Sequence, residues 1–202
     1  MTQDMYLRKV MAMLGEPPRT HQRKESWQAI EEAIGTSLPV DYKEIVDGYG
    51  PLHINGHLYL HHPATEPWNL GKWMRDTAEA WSQIEFDEDE PEGDPCASLG
   101  VSELVFGTSD GLIPLFGTDR SEMVFYGPKA AGGKGSLFVE PGEGEFFEYE
   151  MGVAEWFYRW LVGEHVTGPH GGVYYPGPVV LRDLPMTPDD RPEPRFGPRR
   201  QG

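Results

Sequence analysis

Four histidines lie within ten residues of one another and form the densest group of possible metal ligands in the chain. They are His53, His57, His61 and His62. Three converging imidazoles with one open position could hold a catalytic zinc ion. The spacing, however, matches neither the HExxH helix motif nor another established ligand set. We therefore expect solvated histidines at strand ends and no metal site.

Two further patterns resemble ligand-binding loops but are incomplete. Asp87 and Asp89 could open a calcium loop, but Pro91 and Glu92 then occupy positions that need a ligand and a glycine. The segment Gly132-Gly-Lys-Gly135 lacks the spacing of a phosphate-binding loop and instead predicts a hairpin turn. No serine stands in a GxSxG elbow, and the many carboxylates single out no glycosidase pair. The sequence thus predicts a protein that is not an enzyme and needs no cofactor.

The overall charge favours one class of partner. The chain has 202 residues, with 17 Lys and Arg against 33 Asp and Glu, which gives a net charge of −16. Such a surface repels nucleic acid and anionic membranes and complements a basic protein, although solubility alone would also explain it.

Cysteine usage and hydropathy point to a cytoplasmic protein. The single cysteine, Cys96, excludes an intrachain disulfide and suits a reducing compartment, and its proline-rich, acidic neighbourhood disfavours a reactive thiolate. The N-terminal residues lack the pattern of a signal peptide. No apolar run approaches the roughly 18 residues that a membrane span requires. We expect no membrane association.

Residues 27–50 predict two short amphipathic helices, around which we expect the chain to be organised. Their apolar stripes recur at helical spacing and are separated by Gly35 and by Leu38-Pro39. The stripes are Trp27, Ile30 and Ile34, then Tyr42, Ile45, Val46 and Tyr49. Similar spacing predicts helices over residues 3–14, after Asn69, and over residues 152–163.

Short apolar runs between glycine-containing turns predict a mainly antiparallel sheet. Asn55-Gly56 is a strong hairpin signal within residues 52–60. A meander of candidate strands then follows at Leu104–Phe106, Leu112–Phe116, Met123–Tyr126, Ser136–Val139 and Phe146–Tyr149. Pro114 should mark an edge or a bulge in this sheet. The fold class is therefore α+β, with about five or six strands packed by helices.

Composition divides the chain into three parts. Residues 1–19 form a helix and linker, residues 20–165 the main domain, and residues 166–202 a Pro/Gly-rich extension that is extended or disordered from residue 185. Within this extension, Val173-Tyr-Tyr175 and Val179-Val-Leu181 are candidates for irregular strands that dock on the main domain. The main domain contains an acidic loop at residues 85–98, with seven acids between Glu85 and Asp94.

Three segments of the chain together resemble the SUKH superfamily. They are Ile34-Gly35 with Leu38-Pro-x-Asp-Tyr-x-x-Ile45 and Gly48-Tyr-Gly50, then Gly107-Thr-Ser-Asp-Gly111, then the helix of residues 153–164. That superfamily includes fungal cell-wall-synthesis regulators and bacterial immunity proteins of polymorphic toxin systems. The resemblance implies a protein-binding module without catalytic residues. It suggests a cytoplasmic immunity protein that neutralises a cognate toxin domain, for example a nuclease, or alternatively a scaffold module without a toxin partner.

Charge and expected exposure indicate which residues contact a partner. An exposed aromatic anchor is expected at Trp68, which precedes its helix. The acidic candidates are Asp87, Glu88, Asp89, Glu90, Glu92, Glu143, Glu145 and Glu148.

Replacing the five acids at positions 87–92 with their amides should weaken partner binding. Peripheral charges act mostly on the association rate, so the loss should be largest at low salt. Binding kinetics measured over a range of salt concentrations test this, and an unchanged affinity would exclude the loop from the interface.

Overall fold

The computed structural model describes residues 3–18, 24–84, 95–128, 135–169, 171–172 and 174–199. The helices in this part of the chain are α1 (Gln3–Leu14), α2 (Lys24–Ile34), α3 (Val40–Tyr49), α4 (Leu70–Trp81), α5 (Pro95–Leu99) and α6 (Val153–Leu161). The strands are β1 (Leu52–Ile54), β2 (Leu58–Leu60), β3 (Ile113–Thr118), β4 (Met123–Gly127), β5 (Ser136–Glu140), β6 (Phe147–Tyr149), β7 (Val180–Asp183) and β8 (Pro194–Phe196).

All eight strands belong to one antiparallel sheet in the order β6-β5-β4-β3-β2-β1-β7-β8. The predicted α+β class is confirmed, with slightly more strands than expected. None of the described helices is long and apolar enough to cross a membrane.

The sheet carries an apolar cluster on each face. Leu137 and Val139 of β5 belong to the larger cluster, which includes the buried faces of α1, α3 and α6. Phe138 lies between them in sequence and therefore points to the opposite face. There it joins a smaller cluster with Ala78 of α4 and Phe125 of β4. The helices thus cover both sides of the meander.

Asp41, at the start of α3, caps the distant helix α6. The residue at the N-cap of α6 is Gly152, which has no side chain to offer. Instead, Asp41 Oδ2 accepts a hydrogen bond from the backbone N–H of Ala154 at 2.8 Å. The next residue, Tyr42, is fully buried and donates its hydroxyl to the carbonyl of Leu115 in β3 at 3.0 Å. The Leu-Pro-x-Asp-Tyr segment therefore ties α3 to both α6 and the sheet.

Two of the predicted turn and bulge features are confirmed. Asn55 and Gly56 both have positive φ, at 54° and 67°, and connect β1 to β2 as the hairpin signal required. The pairing of β3 with β4 shifts register between Pro114 and Phe116, so Pro114 lies at an irregularity of an inner strand.

The strand predicted at Leu104–Phe106 is wrong. Only an isolated bridge joins Phe106 to Leu112, because the intervening turn brings these two residues together directly.

The C-terminal extension contributes two strands to the sheet. β7 pairs with β1, and Leu181 is fully buried. β8 lies within the segment predicted to be extended or disordered, and it pairs with β7 as the last strand of the described sheet. β7 overlaps the irregular strand predicted at residues 179–181, whereas Tyr174 and Tyr175 of the other predicted segment form no strand. The proline-rich composition around β8 does not predict a strand, because its pairing depends on β7.

Replacing Asp41 with alanine should lower the free energy of unfolding by about 1–3 kcal/mol, because the buried N–H of Ala154 in the first turn of α6 loses its acceptor. Asp41→Asn retains one acceptor oxygen and should cost less. Urea denaturation measures both variants, with the exposed Glu103→Ala as the control. If Asp41→Ala unfolds at the wild-type midpoint, the cap does not stabilise the fold.

Candidate partner-binding surface

A buried carboxylate shapes the turn between β5 and β6. Glu140 is 2% exposed, and its Oε1 accepts the backbone N–H groups of Gly142 at 2.8 Å and Gly144 at 2.6 Å. Both glycines have positive φ, at 95° and 86°, which other residues rarely adopt. Burial raises the pKa of Glu140, while the bonds to the turn oppose that rise. This carboxylate therefore holds the turn in one conformation.

Acidic side chains extend outward from this turn and along the neighbouring edge strand. Glu143 is exposed at the tip of the turn, Glu145 is half-buried, and Glu148 is exposed on β6. Among the described residues, Glu143 and Glu145 form no ion pair with a basic side chain. β6 is the last strand at this end of the described sheet. We call Glu143, Glu145 and Glu148 the acidic edge.

The short helix α5 is attached to the acidic edge. Ser98 of α5 donates its hydroxyl to Glu148 Oε2 at 2.6 Å. Pro95, the first residue of α5, is also the first described residue after the acidic stretch of residues 85–94. The five acids predicted within that stretch lie outside the described residues, and their role in binding stays a prediction. They are Asp87, Glu88, Asp89, Glu90 and Glu92.

Trp68 lies in an aromatic stack on the sheet and is not an isolated exposed side chain. Its ring is parallel to that of Tyr59, with centroids 5.6 Å apart, and is tilted against His61 at 5.7 Å. Tyr59 in turn stacks on His53 at 4.2 Å. Trp68 remains half-exposed, so only part of the ring is available to a partner.

The expectation that the histidines are solvated is wrong for three of the four. His57, His61 and His62 are buried, and His53 is partly covered by Tyr59. In the part of the chain that the structure describes, no three His, Cys, Asp or Glu side chains are arranged to hold a metal ion. Adjacent residues do not indicate the burial of His57, because its partners Asp119 and Glu122 come from a distant segment of the chain.

His57 joins the β1–β2 hairpin to the turn between β3 and β4. Its Nδ1 contacts Asp119, and its Nε2 lies 2.8 Å from Glu122 Oε2, within ion-pair range although outside hydrogen-bond angles. Burial alone would lower the pKa of His57, but the two carboxylates together raise it. The ring is only 2% exposed and stacks on Trp160, so it links elements of the fold.

His61 is held neutral by its surroundings. Its ring packs nearly parallel to that of Trp73, with centroids 4.6 Å apart. Burial lowers the pKa of His61 to about 4, so the folded protein binds no proton there at neutral pH.

Replacing His61 with phenylalanine should make the fold less sensitive to acid. In the unfolded chain His61 is protonated below its ordinary pKa of about 6.5, whereas in the folded chain it is protonated only below about pH 4. Stability is therefore lost as pH falls through this window, by about 2 kcal/mol at about pH 5. The raised pKa of His57 acts in the opposite direction in both proteins.

Urea denaturation at about pH 7.5 and about pH 5 measures the effect. The exposed His165→Phe should retain the wild-type pH dependence. Parallel losses of stability in His61→Phe and wild type would contradict the assignment.

No family model, curated protein or solved structure matches this chain. The resemblance to the SUKH superfamily therefore rests on the sequence motifs alone, and the α+β fold rests on the structure.

Proposed function

We propose that this protein is an immunity protein that neutralises a cognate toxin domain by binding it directly. The acidic edge supports this proposal most strongly, because it presents carboxylates on a turn that a buried glutamate already holds in place. A surface ordered before binding loses little conformational entropy in the complex. Its charge suits a partner with a basic surface, and the net charge of −16 would accelerate the encounter.

A basic toxin surface explains how such binding would inhibit. Toxins that attack nucleic acid bind phosphates through Lys and Arg side chains. The carboxylates of Glu143 and Glu148 would occupy positions that phosphates take in the toxin's substrate complex. The complex would then block the cleft without any chemistry in the inhibitor.

A scaffold module is the second candidate, favoured by an apolar pair at the opposite end of the sheet. Val180 of β7 and Phe196 of β8 are directly paired, and Phe196 is 68% exposed. Because β6 and β8 lie at opposite ends of the described sheet, the chain offers two separate surfaces. Two such surfaces would suit a protein that holds two partners together.

A pull-down with the tagged full chain from the native cell extract, eluted with rising salt, distinguishes the two functions. A single partner with a toxin domain, released as salt rises, supports the immunity function. Several housekeeping partners, or a partner indifferent to salt, would contradict it and favour the scaffold.

The double variant Glu143→Gln/Glu145→Gln should reduce the association rate with that partner about three- to tenfold at low salt, with little change in dissociation. The difference should shrink at about 1 M salt, where charges are screened beyond about 3 Å. Stopped-flow or surface-based kinetics measure both rates.

Glu16→Gln/Glu193→Gln makes the same change in net charge at exposed sites elsewhere and serves as the control. Equal association rates for the two double variants would exclude the acidic edge as the contact.

A further inference from the structure

An apolar groove lies between α2 and α4. It has a volume of about 690 Å³. Five apolar side chains of the described core retain 7 or 8% exposure, and four of them line this groove: Ile30, Ile34, Ala78 and Phe106. Most core side chains on the strands are almost completely buried. The small residual exposure of the described core is therefore concentrated along this groove.

The walls of the groove have the shape that a third helix would need. The lining residues run from Ser26 to Ile34 on α2 and from Asn69 to Ser82 around α4. At 1.5 Å per helical residue, these walls are about 12 and about 20 Å long, enough for two to three helical turns. Ala29, Ala33 and Gly71 contribute little side-chain bulk, so another backbone can approach closely.

Gly71 allows α2 and α4 to approach each other closely at the base of the groove. A Cβ atom at this position would lie 3.1 Å from Ile30 Cγ1 on the opposite wall. A larger residue would therefore bring side-chain atoms into the space between the helices.

The charged residues of α4 along the groove indicate which charges a bound helix should carry and in which direction it should run. Lys72 and Arg75 lie on its N-terminal half, and Glu79 follows Arg75 by one turn. The side chain of Arg75 is 70% exposed, and its contact with Asp76 is long, at 3.5 Å. An occupant would match this wall with a carboxylate near Arg75 and a cation about one turn further on. In a helix that places acids near its N-terminus and bases near its C-terminus, this arrangement runs parallel to α4.

We propose that the groove between α2 and α4 binds an amphipathic helix of a partner protein, with its apolar stripe on Ile30, Ile34 and Phe106. The helix carries an acid opposite Arg75 and a base opposite Glu79. This surface shares no residue with the acidic edge, so the inference does not depend on a toxin partner. A second copy of this chain is a poor occupant, because two chains of charge −16 repel each other.

A displayed library of randomised helical peptides, selected on the full-length protein, tests the proposal. We expect enriched peptides with apolar residues at i, i+3 or i+4, and i+7, and with the acid and base described above. Ala33→Arg places bulk and charge in the groove from an exposed position and should weaken such peptides about tenfold or more.

Two matched variants make the result specific. Gln28→Arg adds the same charge to an exposed position of α2 outside the groove and should bind like wild type. Arg75→Glu should no longer bind the enriched peptides, and binding should return when the acid of the peptide is replaced by lysine. Arg8→Glu on α1 should bind the original peptides like wild type.

Three outcomes would overturn the proposal. These are enriched peptides that bind Ala33→Arg as well as wild type, a selection that enriches no helical pattern, and a dimer in sedimentation that Ala33→Arg dissociates. The last result would assign the groove to a second copy of the chain.

Discussion

The hydrogen bond between Asp41 and the first turn of α6 joins the two ends of the main domain. The residues it connects are 113 positions apart, and without it the N–H of Ala154 in the first turn of a buried helix would lose its acceptor. α6 in turn places Trp156 parallel to Phe116 of β3, while Tyr42 reaches the same strand through its hydroxyl. The position of the sheet relative to both α3 and α6 thus depends on two adjacent residues of α3.

Carboxylates in this protein divide by burial into two kinds. Asp41 and Glu140 are buried, and each accepts two backbone N–H groups. Asp41 thereby stabilises the start of α6, and Glu140 stabilises the turn between β5 and β6. The carboxylates of exposed residues such as Glu143 point into solvent and contribute to the negative electrostatic field around the molecule. An acidic composition therefore does not by itself indicate function, because only the carboxylates that the fold leaves exposed can contact a partner.

Sequence periodicity predicted the elements whose signals are local. The helices over residues 27–50 and 152–163, the hairpin at Asn55-Gly56 and the later strands all appear within a few residues of their predicted bounds. The apolar run at residues 179–181 predicts a docked strand near β7, but not its pairing with β1 or β8, because the side of β1 that it covers lies far away in the chain. The burial of His57 could not be predicted from the adjacent residues either, because its partner Asp119 lies 62 positions away. For the acidic edge, the turn glycines indicated exposure, but nothing local distinguished the buried Glu140 from its exposed neighbours.

The pairing of β1 with β7 also has a consequence for how the protein is made. Leu52 and Asp183 are partners, although about 130 residues of chain separate them. A ribosome therefore releases β1 long before the strand that will cover its side, and the nascent sheet stays open during that time. Long-range pairing of this kind slows folding and prolongs exposure to aggregation. For a protein proposed to restrain a toxin, the complete sheet exists only after β7 and then β8 have left the ribosome.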